Sequence, residues 1–220
     1  MMKNNLTTIY LVRHGESEGN AMVASDHIAG KGSNLTQKGK EQEDALGKKL
    51  AQVHFAAAFS SDLARAEQTA EIITLERDLA VKTTERIREW SLAEYFKTHP
   101  GQSRETVEQD LIQALQTLDD KAKLAYKHTE EFESANESVA RLLTFLREIA
   151  VAYSGKNVLV VAHGNLMRSM LTHLGWATYD ELAKNAIENT GYCVLESDGV
   201  DFFIKETVGI TKYPEGKRGW

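Results

Sequence analysis

The chain has 220 residues, of which 42% are hydrophobic and 26% are charged, and its formal net charge is −6. This length fits one large α/β domain with its own core, and the acidic balance argues against nucleic acid or an anionic membrane as the main partner. The single cysteine, Cys193, excludes an intramolecular disulfide. Since the N-terminus lacks the apolar core of a signal peptide and no apolar run is long enough to span a bilayer, we expect a cytoplasmic protein.

Predicted strands and helices alternate in the first part of the chain. A strand over residues 8–12 leads into a polar loop over residues 21–34, and Thr36 is the predicted N-cap of the helix that follows. A second strand over residues 56–59 precedes a helix whose start is signalled by Asp62. This alternation is typical of a mainly parallel sheet covered by helices.

The middle of the chain is less regular. Residues 81–88 alternate well enough to predict a third strand, and Glu89 follows them directly. Ser103 is the predicted N-cap of a helix with an apolar face. The segment over residues 90–133 is the best candidate for an insertion over one edge of the sheet.

A long amphipathic helix and a buried strand are predicted next. Ser134 and Glu137 form a capping-box pattern at the start of the helix. Residues 157–162 are an unbroken apolar run, which is typical of a strand inside a parallel sheet. His163 follows this strand directly, and Gly175 is placed at the end of the helix after it.

The last predicted elements are short. Thr178 and Glu181 form a second capping-box pattern, which predicts a short helix. Two strands over residues 192–196 and 202–207 are joined by a hairpin-like turn. With no internal repeat and no linker, residues 1–220 are predicted to form a single α/β domain.

Four groups of polar residues each follow a predicted strand. They are Arg13 with His14, then Arg65, Glu89 and His163. In open α/β sheets, ligands bind at the carboxyl ends of the strands, so neighbouring parallel strands would bring these groups into one pocket.

This set of residues suits phosphoryl transfer through a histidine. A neutral imidazole is a competent nucleophile toward phosphorus, and two guanidinium groups can hold the equatorial phosphate oxygens and neutralise their charge. A carboxyl group can protonate the leaving oxygen and then activate water. Backbone amides near Gly15 and Gly164 can approach the phosphate because glycine has no side chain. The arginines take the electrostatic role, so no metal is expected.

A metal site is the competing interpretation of the histidines. None of the seven pairs with another at His-x-His or at helical i, i+4 spacing, and there is no cysteine cluster. We therefore predict no catalytic metal. The remaining histidines are interpreted as surface or half-buried residues, namely His27, His54, His99, His128 and His173.

Six stretches of the sequence resemble, in order, the motifs of the histidine phosphatase superfamily, which has the phosphoglycerate-mutase-like fold. They are LVRHGESEGN, LTQKGKEQ, SSDLARAEQTA, RIRE, NESVARLLTFLRE and VVAHGN. The resemblance covers most of the chain. It implies a three-layer α/β/α sandwich around a mainly parallel mixed sheet, with a helical cap insertion.

The resemblance also implies roles for single residues. His14 matches the phosphorylated nucleophile, and Glu89 matches the proton donor. The residues that match the rest of the phosphate pocket are Arg13, Arg65 and His163. Ser17 and Asn20 match positions that contact phosphate or substrate, and Gly164 matches a position that lends its amide.

The stretch after the acid motif departs from the family pattern. Family phosphatases often carry a Gly-x-Trp-Glu-Gly-like segment there, whereas this chain has WSLAEYFKTHPG. Glu94 is therefore a rival to Glu89 as the acid. We favour Glu89, because it follows the predicted strand and so can reach the sheet edge.

Three functions are compatible with these residues. The first is a metal-independent, cofactor-free phosphatase that hydrolyses a phosphomonoester of a small metabolite through a phosphohistidine on His14. The second is a phosphoglycerate mutase, which would require 2,3-bisphosphoglycerate, although the basic residues of the insertion lie among many acidic ones. The third is an inactive module that binds a phosphate ligand or a phosphoprotein, and a phosphatase acting on protein phosphohistidine or phosphotyrosine is a further alternative. We expect a small phosphorylated molecule as the partner, and the oligomeric state is left open, with a homodimer as one alternative.

Overall fold

The computed structural model describes residues 6–21, 33–89, 101, 103–130, 132–183 and 185–214. The strands are β1 (Thr7–Arg13), β2 (Phe55–Ser61), β3 (Val81–Thr84), β4 (Asn157–Ala162), β5 (Ile187–Ser197) and β6 (Phe202–Ile210). The helices are α1 (Glu18–Ala21), α2 (Gln37–Lys49), α3 (Ala64–Thr74), α4 (Arg104–Leu115), α5 (Asp120–Ala125), α6 (Ala135–Ala152) and α7 (Gly164–His173). A short 3₁₀ helix covers Glu85–Ile87.

The six strands form one mixed sheet in the order β3-β2-β4-β1-β5-β6. The first four strands in this order pair in parallel, whereas β5 is antiparallel to both β1 and β6. The predicted α/β class with a mainly parallel mixed sheet is therefore confirmed. Arg13 pairs with Ala162, so β1 and β4 end level with each other. The residues that follow these two strands consequently lie side by side.

Each face of the sheet packs against its own layer of helices. The sequence of β4 is apolar without interruption because both faces of this strand are buried. Val158 and Val160 point into one hydrophobic core, and Leu159 and Val161 point into the other. The first core includes buried residues of α6 and α7, and the second includes those of α2 and α3. Cys193 is buried in the first core, as a small apolar residue would be.

The third strand is shorter than the sequence pattern predicts. It ends at Thr84 rather than at residue 88, because the Thr84 side chain accepts a hydrogen bond from the backbone nitrogen of Arg86 and starts a 3₁₀ turn. Ile87 in that turn is fully buried in the core. Glu89 therefore follows a buried turn and not, as predicted, the end of a strand.

The predicted short helix after residue 178 is absent. Thr178 and Glu181 do exchange the two hydrogen bonds of a capping box, at 2.7 and 3.2 Å, but the chain continues as a turn. Leu182 is fully buried directly after it, so the chain enters the core before a helix can continue.

Two other elements also differ from the prediction. Strand β5 begins at Ile187, five residues earlier than predicted, and helix α5 lies in a charged stretch for which no helix was predicted.

Part of the predicted cap is visible, since α4 and α5 lie between residues 90 and 133. Residues 90–100, with Glu94 and His99, lie outside the described residues, as do most of the 21–34 loop with His27 and the end of the C-terminal tail. The extent of the cap and the single-domain assignment stay predictions. Within the described ranges, no helix combines the length and apolar character needed to cross a membrane. The cytoplasmic location stays a prediction.

The capping box at the start of α6 gives a prediction about stability. Ser134 is buried, its hydroxyl accepts a hydrogen bond from the backbone nitrogen of Glu137, and the Glu137 carboxylate accepts one from the Ser134 backbone nitrogen. Ser134→Ala should lower the free energy of unfolding by about 1 kcal/mol, because a helix N–H loses its acceptor. Urea unfolding measures this change. Thr144→Ala, in the exposed middle of the same helix, is the control and should cost less.

Candidate active site

The residues predicted from the strand ends do come to one edge of the sheet. Arg13 is the last residue of β1, His14 follows it, and His163 follows β4 as the N-cap of α7. The backbone nitrogen of His14 donates to the carbonyl oxygen of Ala162, which joins the two strand ends. Arg65 lies in the first turn of α3, directly after β2.

The ring of His14 is held by one hydrogen bond on each nitrogen. Its Nδ1 lies 2.7 Å from the carbonyl oxygen of Gly15, which can only accept, so Nδ1 carries the proton. The Nε–H of Arg65 donates to Nε2 over 3.1 Å, and arginine can only donate, so Nε2 presents a lone pair. His14 is thus a neutral imidazole whose nucleophilic nitrogen faces a guanidinium group.

His163 completes this arrangement from the neighbouring strand. The rings of His14 and His163 meet edge to face, with their centroids 5.1 Å apart. A terminal nitrogen of Arg65 lies 3.4 Å from Nδ1 of His163, so Nδ1 accepts and Nε2 carries the proton. Among the described residues, this buried Nε2 has no hydrogen-bond partner. It is therefore a donor that is available to a ligand.

Burial keeps both histidines neutral. It is the largest cause that holds the pKa of His14 well below its ordinary value of 6.5, and the charges of Arg65 and Arg13 act in the same direction. The pKa of His163 is lowered in the same way, first by burial and then by Arg65. The sequence led us to expect the arginines to lower the pKa of His14. The structure adds that removal of the ring from water contributes more.

Arg13 lies against the start of α7. One of its terminal nitrogens donates to the carbonyl oxygen of Ile187, and its buried Nε has no partner among the described residues. Gly164 lets the helix approach this side chain, because a Cβ at that position would lie 3.0 Å from Arg13 Nε. A larger residue would therefore push the guanidinium group out of place.

Glu89 reaches the same edge through the turn after β3. Its Oε2 accepts a hydrogen bond of 2.9 Å from the backbone nitrogen of Asn165, and its buried Oε1 has no partner in the described part of the chain. Burial raises the pKa of Glu89 to about 7, against the opposing effect of nearby positive charges. Arg141 supports this segment, since it donates to the carbonyl oxygens of Arg86 and Arg88. Glu89 can therefore hold a proton near neutral pH.

Ser17 and Asn20 lie in the loop and short helix that follow His14. The buried Ser17 hydroxyl donates to Oδ1 of Asn20 over 3.1 Å, and the Asn20 side chain is exposed. Asn189 of β5 connects this pair to His14, because its Nδ2 donates to the carbonyl oxygen of that residue over 3.1 Å and lies 3.4 Å from Oδ1 of Asn20. The sequence did not point to Asn189, which precedes the predicted strand and carried only a turn signal.

A second residue at this edge was missed by the sequence analysis. The carboxyl group of Glu43 is buried behind Gly15 and lies 3.0 Å from the Thr69 hydroxyl. Helical spacing could have revealed it, since Glu43 shares one face of α2 with the buried residues Leu46 and Leu50.

Side chains that could bind a metal ion do not form a cluster in the described residues. No group of three or more histidine, cysteine, aspartate or glutamate side chains in these ranges is arranged to hold a metal ion. A reaction without a metal stays a prediction.

Comparison with known protein families shows to which superfamily the chain belongs. Residues 9–208 match the model of the histidine phosphatase superfamily, branch 1. The chain belongs to this superfamily. The resemblance of the six sequence motifs is thereby confirmed for nearly the whole chain.

The proteins to which this chain is similar are named for different activities. The chain is 31% identical to 2,3-bisphosphoglycerate-dependent phosphoglycerate mutase 2 of Gloeobacter violaceus, over 86% of this chain and 84% of the relative. It is 25% identical to a broad-specificity phosphatase of Saccharomyces cerevisiae, over 96% and 88% of the two chains. The solved structure of Bacillus stearothermophilus YhfR has a TM-score of 0.74 and 27% identity, with 94% of this chain and 98% of that chain covered.

Proposed function

We propose that this histidine phosphatase is a metal-independent phosphomonoesterase that hydrolyses small phosphorylated metabolites through a phosphohistidine on His14. The observation that carries the proposal is a set of buried polar atoms without protein partners. Among the atoms of this kind in the described residues are Arg13 Nε, His163 Nε2 and Glu89 Oε1, which all belong to residues at the edge that holds His14. Buried polar groups normally have partners, so unpaired ones at a sheet edge favour a polar ligand.

A phosphomonoester fits these atoms by charge and by hydrogen bonding. The Nε–H of Arg13 and the Nε2–H of His163 can both donate to phosphate oxygens, and Arg65 adds a second guanidinium group. Arginine suits this role because its planar fork holds two oxygens at once and always carries its charge. The site therefore favours a dianionic group bound next to the lone pair of His14.

The first chemical step transfers the phosphoryl group to the histidine. Nε2 of His14 attacks phosphorus, a nitrogen–phosphorus bond forms, and the bond from phosphorus to the ester oxygen breaks. The protonated carboxyl group of Glu89 gives its proton to the departing oxygen, which leaves as an alcohol. The guanidinium groups neutralise charge on the transferred group throughout the step.

The second step returns the enzyme to its starting state. Glu89, now a carboxylate, takes a proton from water, and the water oxygen attacks the phosphorus of the phosphohistidine. The nitrogen–phosphorus bond breaks, inorganic phosphate leaves, and Nε2 recovers its lone pair. A pKa of about 7 suits both roles, because Glu89 must give a proton in one step and accept one in the next.

The mutase is the second candidate, and the Gloeobacter violaceus relative favours it. A mutase needs cations for the second anionic group of its substrate, and two of the three lysines in the described part of the insertion are engaged by carboxylates. The ammonium group of Lys123 is buried and lies 2.7 Å from Asp180, and that of Lys127 lies 2.7 Å from Glu137. Since both ammonium groups are engaged by carboxylates, the phosphatase is the better supported of the two functions.

Phosphate release and phosphoglycerate interconversion separate these functions. The protein should release inorganic phosphate from some members of a panel of phosphorylated metabolites and from an aryl phosphate, with EDTA present throughout. With 2,3-bisphosphoglycerate added, it should interconvert 2- and 3-phosphoglycerate more slowly than it hydrolyses its best substrate. Faster interconversion would establish the mutase, and phosphate binding without turnover would establish an inactive module.

A further inference from the structure

A buried carboxyl group lies directly behind the nucleophile, and the proposed reaction does not use it. The side chain of Glu43 on α2 is fully buried, and its Oε2 has no hydrogen-bond partner among the described residues. Gly15 packs tightly against it, because a Cβ on Gly15 would lie 2.7 Å from Oε1 of Glu43. A buried acid is costly, so its presence here requires a role.

Glu43 is connected to His14 through three hydrogen-bond contacts. Oε1 of Glu43 lies 3.0 Å from Oγ1 of Thr69, and the same Oγ1 accepts a hydrogen bond of 3.2 Å from the backbone nitrogen of Gly15. The carbonyl oxygen of Gly15 in turn accepts the Nδ1 proton of His14. The acid therefore supports the turn that fixes both the orientation and the tautomer of the His14 ring.

We propose that Glu43 is a positioning residue for His14, which acts through the Thr69 hydroxyl and the backbone of Gly15. The inference rests on the proposed function in one respect, namely that His14 is the nucleophile. Glu43 does not touch the phosphate in this scheme. It keeps Nε2 of His14 unprotonated and directed at the substrate.

The number of protons in these contacts indicates whether Glu43 is protonated or ionised in the positioning role. The Thr69 hydroxyl has a single proton and two oxygen neighbours, Oε1 of Glu43 at 3.0 Å and the carbonyl oxygen of Arg65 at 2.8 Å. When the carboxyl group carries a proton, it donates to Oγ1, and Oγ1 donates to Arg65 and accepts from Gly15. An ionised carboxylate would leave one of these two oxygens without a hydrogen bond from the hydroxyl. The protonated acid therefore completes the hydrogen bonds of the Thr69 hydroxyl, while Oε2 of Glu43 keeps no partner among the described residues.

The electrostatic surroundings agree with a protonated acid. Burial raises the pKa of Glu43 to about 8, although the hydrogen bonds from Thr69 and Gly15 oppose the shift. Three titratable residues adjoin this chain of contacts, namely His14 and Glu16 on either side of Gly15, and Arg65, whose carbonyl oxygen shares the Thr69 hydroxyl.

Two replacements separate a positioning role from simple packing. Glu43→Gln keeps a donor to Thr69, whereas Glu43→Met keeps the volume and removes the donor. Glu43→Met should lower kcat about tenfold, the effect of one lost hydrogen bond, and leave KM nearly unchanged. Its melting temperature should not fall, because a buried unpaired oxygen is removed. Glu43→Gln should behave like the wild type, as should the control Glu41→Met at an exposed position of α2.

Nitrogen-15 NMR of the ligand-free protein tests the tautomer without turnover. The His14 signals, assigned by their loss in His14→Gln, should show the pure Nδ1–H form in the wild type and in Glu43→Gln. They should show a mixture of tautomers in Glu43→Met. Thr69→Val should reproduce the Glu43→Met result, Thr69→Ser should not, and the double variant should be no worse than the poorer single one.

Two results would overturn the inference. One is a Glu43→Met protein with wild-type kcat and a pure Nδ1–H tautomer, and the other is a Glu43→Gln protein as impaired as Glu43→Met. If Glu43→Met does not fold, the comparison of Thr69→Val with Thr69→Ser decides instead. A wild type that releases no phosphate would contradict the proposed function, whereas the NMR measurement would still decide the role of Glu43.

Discussion

Replacing His14 with alanine is expected to abolish phosphate release and the labelled phosphoenzyme together. The variant keeps the guanidinium groups and Glu89 but has no atom that can accept the phosphoryl group, so kcat should fall by about a thousandfold or more. Rapid quenching with a phosphorus-32 substrate measures the phosphoenzyme. A phosphohistidine is expected to be acid-labile and base-stable, which distinguishes it from a phosphoserine or an acyl phosphate.

His54→Ala is the matched control for this experiment. His54 is an exposed histidine that precedes β2, and only its backbone carbonyl oxygen makes a described hydrogen bond, to the side chain of Asn157. Its replacement should leave turnover and phosphoenzyme unchanged. A His14→Ala protein that folds normally and keeps more than about a tenth of the activity would show that another group attacks phosphorus.

The sequence was enough to predict the class of the sheet and the polar residues that meet at its edge, because both depend on local patterns. The uninterrupted apolar run of β4 arises from burial on both faces, and burial on both faces is typical of a strand inside a parallel sheet. Polar residues directly after such strands then had to share one edge. This reasoning brought Arg13, His14 and His163 together correctly.

Residues that depend on contacts distant in the sequence could not be predicted in this way. Glu89 was expected after a strand, yet it is placed by a 3₁₀ turn and by Arg141, which lies more than fifty residues further along the chain. Asn189 contacts His14 across 175 positions. Helical spacing could have revealed that Glu43 is buried, but not that it contacts Thr69 of α3 and lies against Gly15. No periodicity in the sequence encodes these pairings.

The ambiguity between phosphatase and mutase has a chemical origin. In the proposed mechanism, both activities would share the attack by His14, the guanidinium groups and the phosphohistidine, and they would differ only in whether water or a bound alcohol attacks next. The residues that would carry out the first step therefore do not show whether water or an alcohol attacks in the second step. The discriminating residues would lie in the insertion, where two of the three described lysines, Lys123 and Lys127, are paired with carboxylates.

Glu89→Gln is expected to impair phosphorylation in a way that depends on the leaving group. An alkyl phosphate loses a poor leaving group that needs the proton of Glu89, so the burst rate should fall about 10²- to 10⁴-fold. A dinitrophenyl phosphate has a leaving oxygen that needs no proton, and its burst rate should change little. Stopped-flow and quenched-flow measurements of the burst isolate this step from hydrolysis of the phosphohistidine, which also uses Glu89.

The pH dependence of the same burst gives a second test of this assignment. The acid form of Glu89 is lost as pH rises through about 7, so the wild-type rate with an alkyl phosphate should decline there, and the rate with dinitrophenyl phosphate should not. The pKa of His14 lies well below 6.5, so protonation of the nucleophile limits both rates only in more acidic solution. Glu85→Gln, at an exposed position in the preceding turn, is the control and should keep the wild-type profile. Equal losses with both substrates in Glu89→Gln would mean that Glu89 supports the site without donating the proton, and the acid would then have to be sought in the segment that contains Glu94.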